Sequence, residues 1–463
     1  MLKPRSWAAL LLLGTAVLPA AETNPGPTGP DWLSKPLSLA ECIDLALTQN
    51  STILKGKSDL EAAHGLVVQT RAIVIPKVRA TGSYQVNDES AIDKFPISFP
   101  STNGPAITIN PGEQQWSAGV RVVQSIYEGG RMRSALRAAK LTKEQALLEY
   151  QRVVSDTLAE VRVAYYDVLL AAEQIGVQEA SIKLLAKELE DTTRRYEAGT
   201  VPRFNVLRAE VELANARPRL IRTKNDHRLA KNNLVNLLGY NVPKEVWEDV
   251  PLQLTGKLDA EPYEIELPSA IAQAMSKRPE LGVLGKAEQL RREELQNARA
   301  GYLPSAQVFA GYGSRNTQFS TDLSRDVSGW NAGAQFSWDI FDGLLTRGKV
   351  KQARSLQEKA RYELADATRR IELEVRTAYS NFIEAKEVLE SQKKVVEQAE
   401  EALRLANARA DAGSGTQLDV LSAQTALTEA RSTQVQALHD YDVARVRLER
   451  ALGNSTPQLE QPR

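Results

Sequence analysis

The chain is written twice, so its fold must be one that a single unit can build in two copies. Trp116-Ser-Ala-Gly119 returns 214 residues later as Trp330-Asn-Ala-Gly333. At the same offset Ile126-Tyr127-Glu128-Gly129 meets Ile340-Phe341-Asp342-Gly343, and Glu160-Val-Arg162 meets Glu374-Val-Arg376. Ala198-Gly199 meets Ala412-Gly413, and Leu238-Gly239 meets Leu452-Gly453. A register kept without a gap over such a distance marks an internal duplication. Upstream the offset becomes 228: Leu39 pairs with Leu267, Pro76 with Pro304 and Tyr84 with Tyr312. The change places a fourteen-residue insertion in segment 87–115, whose Pro, Asn, Gly and Ser content reads as an exposed loop.

Each copy changes period along its length. Residues 39–71 read as helix. After Pro76 the pattern alternates, most cleanly at Trp330, Ala332, Ala334, Phe336, Trp338 and Ile340 against Asn331, Gly333, Gln335, Ser337 and Asp339. That is a strand with one apolar and one polar face, so each copy carries a β-hairpin around its variable loop. A heptad follows in three- and four-residue steps from Val161 to Leu189, and again from Val375 to Leu403. The returning helix repeats alanine at 423, 430, 437, 444 and 451, which lets neighbouring helices approach closely.

Lengths then constrain shape. A helix from Arg131 to Glu197 is ~100 Å long at 1.5 Å per residue. The returning helix 203–237 and the early helix 39–71, laid end to end, span nearly the same distance. One long helix can therefore lie beside two short ones stacked. The strands constrain assembly. Four per chain fall short of the roughly eight that close a membrane barrel, and open edges are not tolerated in lipid. A barrel must be shared between chains.

At the N-terminus Lys3 and Arg5 precede an apolar run from Ala8 to Leu18, then Ala20 and Ala21, the layout of a secretory signal peptide. Net charge is zero, with 58 acidic and 58 basic residues, which offers no electrostatic case for nucleic acid. The one cysteine, Cys42, excludes an internal disulfide and lies too far from the signal to serve as a lipid anchor. His64, His227 and His439 are isolated, and no HExxH, CxxC or phosphate-loop spacing occurs, so no catalytic, cofactor or metal residues are assigned.

These features together resemble the TolC family of outer-membrane efflux proteins over residues 39–453. The specific parts are the duplicated strand-to-helix turns, Tyr127-Glu-Gly-Gly130 and Phe341-Asp-Gly343, and two helical tips. The tips read Tyr196-Glu-Ala-Gly199-Thr200-Val201-Pro202 and Ala410-Asp-Ala-Gly413-Ser414-Gly415-Thr416. The resemblance implies a mainly α fold with a small β part: a homotrimer whose twelve strands form one barrel in outer-membrane lipid, with a coiled-coil helical tunnel across the periplasm. It implies tips that dock a periplasmic adaptor fed by an inner-membrane pump, and no cofactor. It also implies an entrance narrowed by two aspartates; Asp419 matches the first, and the second position is Ser422. The latching Tyr and Arg of such members correspond to Ala410 and Gly415, and their partner to Asn205, so that latch is missing here.

The expected layout is a signal peptide over 1–21 and an extended linker over 22–38. Repeat 1 covers 39–240, with its β-hairpin at 77–127 and its tip near 198–202. An inter-repeat linker over 241–266 forms an equatorial region. Repeat 2 covers 267–453, with its β-hairpin at 305–341 and its tip near 412–416, and a tail occupies 454–463. Trp116, Trp330, Phe336 and Trp338 are the strand aromatics. The reading is a passive duct of an efflux or type I secretion system, not an enzyme. The alternative is a periplasmic coiled-coil adaptor or scaffold, which would leave the aromatic strands unexplained.

Overall fold

The computed structural model describes residues 31–91, 95–97, 107–109, 113–240, 250–316 and 323–454. The segment assigned as signal peptide, most of the inserted loop and the last nine residues lie outside these. Helices α1 (Leu39–Gln49) and α2 (Ser51–Arg71) lead to the sheet, α3 (Arg131–Glu197) is the long helix, and α4 (Arg203–Leu237) returns. The second copy runs α5 (Leu267–Lys277), α6 (Pro279–Arg299), α7 (Leu345–Asp411) and α8 (Gln417–Ala451). Strands β2 (Lys77–Val86), β5 (Gln114–Glu128), β7 (Ser305–Asn316) and β8 (Asp326–Ser337) form one antiparallel sheet in that order. Short strands β3 (Phe95–Ile97) and β4 (Ile107–Ile109) pair inside the segment expected to be plain loop.

The stacked arrangement is present, with a joint that the helical pattern hides. The early helix is two helices, broken at Asn50 in the first copy and at Arg278 in the second. Asn50 Oδ1 accepts from the Thr52 and Ile53 backbone N–H groups, capping α2, while its Nδ2 donates to the Leu237 carbonyl at 2.6 Å. One buried amide thus satisfies the start of one helix and the end of the helix stacked on it, groups that would otherwise be orphaned. The stack is close. Gly239, at φ +89°, ends α4, and a Cβ there would stand 2.4 Å from the Gln49 carbonyl oxygen. Only glycine meets both demands.

The core follows the duplication. Cys42, Ala46, Val161, Val168, Leu234 and Leu238 pack in one cluster. Their counterparts Ala270, Ala274, Val375, Phe382, Leu448 and Leu452 pack in the other. Cys42 stands where the second copy has alanine, and burial pushes its thiol up to about 12, so it is a small apolar packing residue. Along α7 the buried positions step by seven from Thr346 through Ala353 and Ala360 to Ala367. The step then breaks at Ile371 and Val375 before resuming through Phe382 and Leu389 to Leu403. Such a stutter locally unwinds a supercoil. It falls at the waist, where Ala260, Tyr263 and Ile265 of the inter-repeat segment pack against the second cluster.

That waist also holds the N-terminal segment. Residues Asp31–Ser34 form a 3-10 turn, and β1 (Pro36–Leu37) pairs in parallel with β6 (Gln253–Leu254), so 31–38 is not simply extended. Leu33, Leu37, Val250 and Leu252 close the first core cluster over Cys42.

Candidate channel wall and entrance

The sheet has two chemically distinct faces, fixed by period and register. Tyr312 pairs with both Val120 and Trp330, and Ala310 with both Val122 and Ala332, so cross-strand partners share a face. One face therefore carries Val78, Tyr84, Trp116, Val120, Tyr312, Trp330 and Phe336. The other carries Arg79, Ser83, Ser117, Arg121, Gln307, Asn331 and Gln335. Trp330 is 79% and Phe336 67% exposed, an apolar surface that none of the described residues covers. Strands of 10 to 15 residues are long enough to cross a bilayer core. An apolar outer and a polar inner face are what a membrane barrel requires.

Trp338 corrects the sequence reading. The β7–β8 ladder stops at Ser305 opposite Ser337, because Pro304 has no N–H to extend it. Trp338 lies just beyond, half exposed, its Nε1 donating to the Tyr302 carbonyl at 3.2 Å. Ile340, 84% exposed, is likewise outside the strand. At the other end the buried Asn316 side chain, which sequence patterning did not single out, accepts from Trp116 N at 2.8 Å and donates to the Gln114 carbonyl at 2.8 Å. It closes the β5–β7 seam after their last paired residues.

At the far end of the helices the two tips share one backbone motif. Gly199 and Gly413 both have φ +73°. Gly199 N donates to the Tyr196 carbonyl and Thr200 N to the Arg195 carbonyl, both at 2.9 Å. Gly413 N and Ser414 N do the same to Ala410 and Arg409. This is the left-handed helix stop that glycine adopts at no steric cost. The restarts differ. Thr416 and Asp419 form a capping box, with Thr416 N and Oγ1 donating to Asp419 Oδ2 at 2.9 and 2.8 Å and Asp419 N donating back at 3.3 Å. Bonds from Thr416 hold the Asp419 carboxyl below its usual range. The first tip restarts at Pro202, with no side-chain cap.

Asp419 and Ser422 are exposed on α8, and Asn205 is half-buried at the start of α4. Contacts that residue patterns did not reveal tie the tips together. Arg195 meets Asp411 at 2.7 Å, and Gln417 Nε2 donates to Thr192 Oγ1 at 2.7 Å. Gly415 must lack a side chain, since a Cβ would stand 2.9 Å from Ala410 N.

Between sheet and tips lies a charged waist. Arg278, at the α5–α6 break, reaches Glu374 of α7 with two guanidinium nitrogens and Glu280 at 3.4 Å. Arg450 of α8 bridges Glu374, Glu280 and Asp156 of α3, the last at 2.7 Å. Nearby His439 contacts Asp167 at 2.8 Å and Asp440 at 3.0 Å. Burial depresses its pKa, but the two carboxylates outweigh that and leave it raised. Asp442, 2% exposed, has its carboxyl pushed up to about 7 by burial, with Arg445 and His439 acting in the opposite sense.

This geometry recurs in known proteins. The outer membrane efflux protein profile matches residues 42–240 and 270–454, one block per repeat. The outer membrane protein TolC of Escherichia coli strain K12 is 24% identical over 448 residues, covering 92% of this chain and 84% of its own. The cobalt-zinc-cadmium resistance protein CzcC of Cupriavidus metallidurans is 24% identical over 435 residues, 93% of each. The solved Campylobacter jejuni CmeC outer membrane channel superposes with a TM-score of 0.75 at 18% identity, over 91% of this chain and 87% of that one. The strands lie in the outer membrane and the helices form a periplasmic tunnel. The chain belongs to the outer membrane efflux protein family, the channels through which efflux and secretion systems discharge.

Proposed function

We propose that three copies of this chain form one passive exit duct that docks a periplasmic adaptor and, through it, an inner-membrane pump. The carrying observation is the four-stranded sheet, apolar on one face and open at β2 and β8. Three such sheets joined edge to edge leave no unpaired strand in lipid. The exposed helix residues support the same reading. Phe204, Val211, Ile221 and Leu229 on α4 and Leu373 on α7 are all more than half exposed in one chain. Facing helices of adjacent copies would cover them.

In this reading the tips are the docking ends. Gly199, Thr200, Val201 and Pro202 form one, and Gly413, Ser414, Gly415 and Thr416 the other. Asp419, Ser422 and Asn205 line the entrance. With the usual latch residues absent, Arg195–Asp411 and Gln417–Thr192 are the contacts that hold the two hairpins of one chain together there. The duct itself performs no chemistry, and the pump supplies the energy. The mass of the detergent-extracted protein tests the assembly: three chains are expected, and a stable monomer with a folded barrel would overturn it.

A further inference from the structure

We infer that the bore of the β-barrel is an anion-attracting segment, and that this duct is built to discharge anionic solutes. The inference rests on the channel reading above and adds the charge class of what passes.

On the polar face of the sheet each chain carries Lys77, Arg79, Arg121 and Arg315 against one carboxylate, Glu128. All four cations are exposed, and among the described residues none takes part in an ion pair. The helices differ, with acidic and basic residues interleaved and many paired along α3 and α7. Helix α4 is the exception, with eight Lys and Arg against three Asp and Glu.

The register makes it sharper. Arg79 of β2 stands directly opposite Arg121 of β5. Like charges at facing positions destabilise a sheet, and no carboxylate lies between them to offset it. Lys77 is two residues further along the same face, about 7 Å away. Arg121 lies over the Phe309 ring, 4.2 Å from its centroid. Phe309 in turn covers Gly333, where a Cβ would stand 2.9 Å from the ring. The guanidinium is therefore held by a cation–π contact rather than by an anion, which leaves its charge free toward the bore. An arrangement that costs stability and finds no structural partner points to function.

Joined in a trimer, the Arg79–Arg121 pairs form a ring at one level, with Lys77 on one side and Arg315 on the other. Rings of Arg and Lys are the usual lining of anion and phosphate pores, and a low-dielectric wall focuses their field. The expected solute is a small molecule bearing carboxylate or phosphate groups.

The test is single-channel recording on the purified trimer in a planar bilayer, with tripolyphosphate added on the barrel side. Half-block at micromolar concentration is expected in the native channel. At least a tenfold higher concentration is expected in the double variant Arg79→Gln/Arg121→Gln, with Arg121→Lys close to native. Both changes keep polar residues on a wetted face, and an intact trimer band on unheated gels confirms assembly. Equal block in native and double variant would overturn the inference, as would no block with normal conductance. Failure to form any conducting trimer from the native chain would overturn the channel reading instead.

Discussion

The two joints of the molecule share a geometry and differ in chemistry. In repeat 1 the stacked helices meet at Asn50, a neutral amide that bonds backbone groups within its own repeat. In repeat 2 the equivalent residue is Arg278, whose guanidinium is nearly buried and held by carboxylates of α6 and α7. Through Glu374 and Arg450 that network continues to Asp156 of α3 and so ties repeat 2 to repeat 1. One joint is a local cap, and the other is a connection between halves. Arg278→Ala should therefore cost more than Asn50→Ala. Removing the side chain empties a nearly buried site and leaves Glu374 and Glu280 with Arg450 as their remaining arginine, about 2–5 kcal/mol. Removing the amide loses a cap and one long-range bond, about 1–3 kcal/mol. Thermal melting of the detergent-extracted protein should rank them so, and the reverse order would make the network incidental.

A second divergence lies about two turns before Arg450 on α8. Asp442 corresponds at the 214 offset to Arg228, so one copy buries an acid where the other carries a base. With its carboxyl at about 7, folded Asp442 keeps a proton that the unfolded chain releases near 4. Stability from this group is thus full in acid and lost as pH rises from about 4 to 7. Asp442→Asn cannot ionise and escapes the loss. It should leave melting at pH 4 nearly unchanged and raise stability at pH 8 by ~1–3 kcal/mol per chain. An equal shift at both pH values would show that the carboxyl does not titrate in the folded state.

How much of this was legible in residues alone follows from where each constraint is local. The spans of α3 and α4 could be read because their limits are backbone signals: Gly130 at the start, Gly199 at the tip, Pro202 at the restart. The two sheet faces were legible because a strand period has one solution once Trp330 and Phe336 are placed. The first joint was not, since Asn50 carries no helix-breaking signal as strong as proline and its role depends on the Leu237 carbonyl 187 residues away; the second was marked by Pro279, directly after Arg278, and was missed. Asp419 was visible as a charge at a helix start, but its bonding to Thr416 needed the turn. The Arg79–Arg121 opposition required the register between β2 and β5, which the inserted loop conceals.

The tips sharpen the comparison at smaller scale. Gly199 and Gly413 share a φ of +73°, so valine at either should cost about 1–2 kcal/mol locally. The functional effects should differ. The second tip is also fixed by Gly415 and by the Thr416–Asp419 capping box, so Gly413→Val should displace an ordered turn and abolish export while the protein still assembles in the membrane. Gly199→Val, beside the uncapped Pro202, should reduce export less. Export assays with trimer gels would separate the two, and equal loss at both tips would erase the distinction.

The smallest expected effect is at the strand-to-helix turns. Gly130, with φ +90°, has Leu344 as its counterpart, with φ +72°. Among the described residues Leu344 is the one non-glycine in that region of backbone space, and its side chain is 58% exposed. Gly130→Leu should cost ~1 kcal/mol, the steric penalty of a Cβ in the left-handed region. The reverse change, Leu344→Gly, relieves that penalty but adds about 0.4–1 kcal/mol of chain entropy to the unfolded state. The two nearly cancel, so melting should shift by less than ~0.5 kcal/mol. A loss above ~2 kcal/mol on Leu344→Gly would be too large for backbone terms. It would mean that the Leu344 side chain is buried in the membrane, against a neighbouring chain or the lipid at the foot of the sheet.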